Sequence, residues 1–158
     1  MRYLQFVALN QKEELRGYLN DYLTELSAVD PDIKFDENGV PIYRWFDHYF
    51  TDKDRTVVLL IVDGSVAGFG MVRELGENNY ELAEFYIIPE FRRGKNGIFL
   101  AKNLCLLFKG CMQISTRHTN LAGKAFWARF VEGFAIKSES PDDIWQNYTV
   151  DTTTYNLD

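Results

Sequence analysis

The stretch from Glu84 to Lys109, EFYIIPEFRRGKNGIFLAKNLCLLFK, decides how the rest of the chain reads. It starts as an apolar, β-branched strand and breaks at Pro89. It then passes through a basic turn holding Gly94 and Gly97, and continues with apolar residues at helical spacing. A strand that ends in such a turn and reopens as a helix presents main-chain N–H groups without internal partners, in the positive field of the helix dipole. That is chemistry for a phosphate group. Arg92, Arg93 and Lys95 bring cations to the turn, and the two glycines let the backbone approach a ligand closely or take positive φ.

Charge patterning supports the same reading. Residues 91–131 contain no Asp or Glu, while Arg92, Arg93, Lys95, Lys102, Lys109, Arg117, Lys124 and Arg129 are basic, in a chain whose formal net charge is −6. The remainder therefore carries about −14. Any one of these cations is also what a solvated helix face carries, but the run as a whole points to an anionic ligand, with the acidic remainder suited to a cationic one.

A chain of 158 residues, 46% apolar and 15% aromatic, can bury one sizeable core, so a single domain over residues 1–158 is expected. Cys105 sits in the helical run and Cys111 opens the next strand, without metal-ligand spacing to a His or another Cys. Both read as buried thiols in a reducing cytosol. The start, MRYLQFVALNQKEE, lacks the apolar stretch of a signal peptide, and no run approaches membrane-spanning length. A cytoplasmic protein without a membrane partner is the expectation.

In chain order, residues 3–8 suit a first strand. Asn10 with Glu13 resembles a capping box, and Leu15, Tyr18, Leu19, Tyr22, Leu23 and Leu26 form a helical stripe. Residues 28–40 are a loop rich in acids, and Pro41 suits the first position of a second helix carrying Ile42, Trp45, Phe46 and Tyr49. Those aromatics are core or the wall of a substrate pocket. Two β-branched runs separated by Asp63-Gly64 make a hairpin, and Tyr80 to Ile88 the third strand of a meander. Strand alternation places Glu84, Tyr86 and Ile88 on one face and Glu81, Ala83, Phe85 and Ile87 on the other, unless a bulge shifts the register.

A helix over about 95–109 with Ala101, Leu104, Cys105 and Phe108 on its inner face stops at Gly110, and residues 111–117 return as a parallel strand. Thr119 or Asn120 caps another helix through Val131, with Ala122, Ala125, Phe126, Arg129 and Phe130 inward. Strands near 134–139 and 145–152 finish the chain. The order β α α β β β α β α β β makes an α+β fold, a mixed, mostly antiparallel sheet flanked by helices.

IIPEFRRGKNGIFLAKNL followed by NLAGKAFWARFVEGF resembles the two acetyl-CoA-binding motifs of the GCN5-related N-acetyltransferases (GNAT), and the element order agrees along the chain. The resemblance implies that Ile87, Ile88, Arg92, Arg93, Gly94, Lys95, Asn96, Gly97, Asn120, Phe126 and Trp127 contact acetyl-CoA. Read from Arg92, the preferred register because it keeps one glycine, the motif puts Lys95 at its first glycine position, where a helical backbone would accept a lysine, and Gly97 at the second; read from Arg93, Asn96 and Ile98 fall there instead. Trp127 stands where many members carry a tyrosine that protonates the departing thiolate; an indole has no proton to give near neutrality. Water, Tyr86 or Tyr148 would then serve.

The resemblance further implies direct acetyl transfer to a primary amine of a small molecule or peptide. Glu84 is the candidate base, with Glu81 next, and a main-chain N–H of Ile87 or Ile88 would meet the charge developing on the thioester oxygen. Asp30, Asp32, Asp36, Glu37 and Asp47 would draw in a cationic amine. His48 and His118 lack a partner at catalytic spacing and read as structural. One rival is a non-catalytic acyl-CoA-binding or protein-interaction module on the same fold. A nucleic-acid binder is disfavoured by a pI near 5.0 and by the lack of a basic tail. The C-terminal strands offer an edge for homodimer pairing.

Overall fold

In the computed structural model, which describes residues 1–156, Asp63 and Gly64 sit at φ 49° and 84° and close a two-residue hairpin that sets Val62 opposite Ser65. Two consecutive left-handed residues are what the twist of an antiparallel pair requires. The hairpin joins β2 (Arg55–Val62) to β3 (Ser65–Gly76), with β1 (Arg2–Phe6) on the outer side of β2 and β4 (Asn79–Ile87) beyond β3. Past β4 come β5 (Cys111–Arg117), then β7 (Trp145–Asp151), then β6 (Lys137–Glu139) at the edge. Among the described strands only β4 and β5 run parallel. The α+β architecture read from the sequence is thus the one observed.

Helix α1 (Lys12–Leu26) covers one face. There Leu15, Leu19 and Leu23 pack on Val57, Leu59, Ile61, Phe69, Met71 and Tyr86, together with Phe46 and Tyr49 around α2 (His48–Thr51). Helices α3 (Asn96–Leu107) and α4 (Leu121–Phe130) cover the other, burying Leu100, Ala101, Leu104, Cys105, Trp127 and Phe130 against Val58, Leu60, Val72, Met112 and Ile114. Gly70 lets α3 come close: a β-carbon there would stand 2.5 Å from a Leu104 methyl.

Two features of β4 prepare the site. Met71 pairs with Glu84 but Val72 pairs with Leu82, so Ala83 is an extra residue in β4. This bulge moves Glu81 onto the face of Glu84 and Tyr86, where simple alternation had separated them. The β4–β5 ladder runs from Asn79↔Cys111 to Leu82↔Ile114 and stops, although the strands continue to Ile87 and Arg117. Beyond Leu82, β4 therefore has an unpaired edge.

Several sequence expectations are corrected. Asn10 is no cap: it lies in a 3-10 turn (Leu9–Gln11), and Gln11 Oε1 accepts the Ala8 N–H at 2.9 Å. The second helix is one turn, because Pro41 bridges to Phe35 and Ile42 N–H donates to the Lys34 carbonyl, holding that segment extended. Helix α4 turns Gly123 toward Thr116, which buries Trp127 and Phe130 and leaves Ala122, Ala125 and Arg129 exposed. Cys111 is exposed; it and the buried Cys105 are free thiols. No helix among the described residues is long and apolar enough to cross a membrane.

Candidate active site

After β4 the chain makes a 3-10 turn (Pro89–Phe91) and enters α3 through Gly94 (φ 83°) and Lys95 (φ 64°). Lys95 is left-handed rather than helical, a conformation that costs an L-residue roughly 1–2 kcal/mol and a glycine nothing comparable. Asn96, 6% exposed, braces this loop from within. Its amide donates to the carbonyls of Phe91 (2.7 Å) and Arg93 (3.3 Å), and its Oδ1 accepts from Arg2 Nη1 at 3.3 Å. Arg2 also donates to the Gly94 carbonyl at 2.9 Å and lies 4.6 Å from the Phe99 ring centre.

With its side chain so engaged, Asn96 keeps only its main-chain N–H for a ligand. No side chain caps α3, so the N–H groups of Asn96, Gly97 and Ile98 have no intrahelical acceptor. Among the described residues Arg93, Lys95 and Lys124 form no ion pair. Gly97 admits the Phe126 ring, which a β-carbon would meet at 3.0 Å. Arg92 is placed differently. Its Nε donates to the Ile87 carbonyl (3.0 Å), its Nη2 to Glu25 (2.7 Å), and its guanidinium lies over Tyr86, on the α1 face. The same pair holds the Glu25 carboxyl below its ordinary pKa.

On the unpaired edge of β4 the two candidate donors differ. Ile88 N–H donates to the Ala67 carbonyl at 2.8 Å and is therefore spent. Gly68 and Ile87 then form the non-hydrogen-bonded pair of the ladder, with the Ile87 N–H directed to the open side. Asn120 Oδ1 accepts Gly123 N–H at 3.0 Å, capping α4. Trp127, 7% exposed, packs edge-on to Phe85 at 4.9 Å, with Phe126 and Phe130 around it. Tyr148 faces the α3 and α4 side opposite Ile114, where the parallel ladder ends, while Tyr86 lies on the α1 side with burial and Glu25 pushing its hydroxyl up to about 12.

On the α1 face Glu84 is held by two tyrosines. Its Oε1 accepts from the Tyr22 hydroxyl at 2.9 Å and its Oε2 from the Tyr43 hydroxyl at 3.1 Å. Burial raises its carboxyl to about 7, opposed by the two tyrosine hydrogen bonds and aided by Glu81 and Asp30. It opens onto a cleft of about 500 Å³ whose wall includes Tyr43, Trp45, Tyr49, Arg73, Glu81 and Trp145. A carboxyl that titrates near neutrality, in a cleft, is fit to accept a proton.

The acids expected to draw in a cation are mostly engaged. Arg117 binds both Asp30 (3.0 Å) and Asp32, Lys12 binds Asp47 (2.9 Å), and Asp36 accepts the N–H groups of Asn38 and Val40. His48 meets Asp52 at 2.9 Å, and His118 meets the Asp142 carbonyl at 2.7 Å. Sequence reasoning missed Arg2, Tyr22, Tyr43, Arg55 and Arg73. They reach the site only through folding, and no local motif marks them.

A sheet that forks beside an uncapped helix start, with a tyrosine-held carboxyl on the opposite face, is an arrangement that suits a CoA-dependent acyltransferase. The chain matches the acetyltransferase (GNAT) family model over residues 15–131 and belongs to that family, whose members transfer acetyl from acetyl-CoA to amines. Solved structures agree in fold. The PaiA N-acetyltransferase of Thermoplasma acidophilum, in complex with coenzyme A, is 15% identical with TM-score 0.68, over 96% of this chain and 99% of that one. The spermidine N-acetyltransferase of Vibrio cholerae, in complex with CoA and spermine, is 12% identical with TM-score 0.68, over 98% and 97%. A GNAT acetyltransferase of Staphylococcus aureus Mu50 is 14% identical with TM-score 0.67, over 96% and 99%. No curated protein sequence matches the chain significantly.

Proposed function

We propose that this protein acetylates a primary amine of a small molecule or peptide by direct transfer, with Glu84 taking the ammonium proton. The observation that carries the reading is a carboxyl held by Tyr22 and Tyr43 at the cleft, which burial pushes up to about 7, one strand face away from an uncapped helix start. The residues present fit acetyl-CoA. The main chain at Gly94, Lys95, Asn96 and Gly97, with Arg93 alongside, suits its pyrophosphate, and the open edge of β4 with Phe126 and Trp127 suits its pantetheine arm. When bound, it supplies an activated acetyl thioester.

Glu84 first removes the proton that blocks the amine's lone pair, which needs the ionised carboxylate, so activity rises through pH 7. The Tyr22 and Tyr43 hydroxyls orient that carboxylate. Ile87 N–H, fixed by the strand, is aimed where negative charge grows during attack and costs no reorganisation. Arg92, tied to Glu25 and the Ile87 carbonyl, holds the strand end rather than the phosphates.

One observation favours the second reading, a non-catalytic acyl-CoA binder: Trp127, deep among Phe85, Phe126 and Phe130, offers no proton to a thiolate. Calorimetry with acetyl-CoA, followed by thiol release with a panel of amines, separates the two. Binding with thiol release supports the transferase; binding without release from any amine supports the sensor; absence of both heat and thermal shift at millimolar acetyl-CoA removes both.

A further inference from the structure

The cleft beside Glu84 has two arginines in its wall, Arg55 and Arg73. Arg55, Arg73 and Glu81 are neighbours across β2, β3 and β4, so their side chains stand in one row on the α1 face. Two guanidinium groups on directly paired strand positions repel each other unless something anionic comes between them. The carboxylates nearby do so poorly. Arg73 Nε is 3.6 Å from Glu81, and Arg55 Nε is 4.0 Å from Asp52, whose oxygens are already met by His48 and Thr51 at 2.9 Å.

Two polar atoms of this wall are buried without a hydrogen bond, Arg73 Nε and the Tyr49 hydroxyl, although Tyr43 and Arg55 stand near the latter. Tyr49 is 4% exposed and lines the cleft. Arg55 is held in place over the rings of Trp45 (4.7 Å) and Tyr49 (5.4 Å). Oriented donors left unpaired in a cleft are what an anionic oxygen ligand satisfies, and a site built this way discriminates against ligands lacking that group.

Resting on the transferase reading above, we infer that the acceptor is a zwitterion: a primary amine that meets Glu84 and carries, at its far end, a carboxylate or similar oxyanion received by Arg55, Arg73 and Tyr49. The row of arginines lies about two residues along the strands from Glu84, or roughly 7 Å at strand rise, which sets the separation of the two charges. A polyamine would set a second ammonium against the two guanidinium groups. The surface acids that would offset this are already paired with Arg117 and Lys12.

Three amines with five-carbon chains test the assignment: δ-aminovalerate, pentylamine and cadaverine, ending in an anion, a methyl group and a cation. With the full-length protein and acetyl-CoA, kcat/KM for δ-aminovalerate should exceed that for pentylamine by about tenfold or more, the scale of a charge-assisted hydrogen bond, with cadaverine last. In Arg73→Gln and in Arg55→Gln the ratio of δ-aminovalerate to pentylamine should fall to within about threefold of unity on the same scale. Because each ratio is taken within one preparation, a partly unfolded variant does not distort it. Cadaverine equal to or better than δ-aminovalerate, or a ratio unchanged in both variants, overturns the zwitterion while leaving the transferase standing. Thiol release from none of the three, with acetyl-CoA still bound, overturns this inference; the transferase falls with it only if the wider amine panel also gives no release.

Discussion

The two faces of the sheet divide the chemistry between them in different materials. On the α3 and α4 face the proposed anion site is main chain: a turn, two left-handed residues and an uncapped helix start, all within residues 87–98. On the α1 face the proposed acid–base site is side chain. Glu84, Tyr22, Tyr43 and Glu81 come from α1, the loop after it and β4, and the cleft wall adds Arg55 and Arg73. A backbone site can carry a lysine in place of a glycine, because the main chain supplies the amides, at the cost of the left-handed conformation of Lys95. A side-chain site has no such reserve.

The sharpest way to break that contrast is Glu84→Gln. Losing a general base should lower kcat/KM by about 10²–10³-fold and remove the acid limb near pH 7, read from a pH–rate profile. A profile unchanged in shape would mean that the base is elsewhere. On the other face the expected effect is smaller and falls on binding. Asn96→Ala releases the carbonyls of Phe91 and Arg93 and should weaken acetyl-CoA about tenfold by calorimetry, the scale of one lost buried hydrogen-bond anchor. Arg92→Gln, on the α1 side, should change that affinity by no more than about twofold, the scale of an exposed ion pair.

Removing the hydroxyls that hold Glu84 sharpens the comparison further. In Tyr22→Phe and Tyr43→Phe the carboxylate loses a donor that lowers its pKa, so the acid limb should move to higher pH while rates well above it stay near wild type. The smallest effect is on stability. Folded Glu84 titrates near 7, above its ordinary value of 4.5. Its folding contribution is therefore intact below that lower value and is lost as pH rises through 7. Glu84→Gln should accordingly melt a few degrees higher than wild type at pH 8, by roughly 2–6 °C, and no higher at pH 4. A gain at pH 4 alone would reverse the assigned sign.

Much of the fold was legible because its signals are local. Asp63-Gly64 names its hairpin, the leucine stripe names α1, and Asn120 caps α4 as read. Errors came where a distant partner overrode a local pattern. Pro41 looks like a helix start until Phe35 pairs with it, and Glu81 looks opposed to Glu84 until the bulge at Ala83 rotates it. Ile88 and Ile87 are indistinguishable as donors in sequence, and the bond to Ala67 alone tells them apart.

The sequence by itself determined the turn into α3 and the order of elements, since both depend on neighbours within a few residues: Pro, Gly and an apolar period act over one turn of chain. Only the tertiary structure decided the surroundings of Glu84, the fate of the acids and the arginines placed in the cleft wall. Those rest on which charges meet across α1, β2, β3 and β4. Electrostatic pairing over sixty residues of sequence separation, as between Tyr22 and Glu84 or Arg92 and Glu25, leaves no trace in a linear pattern.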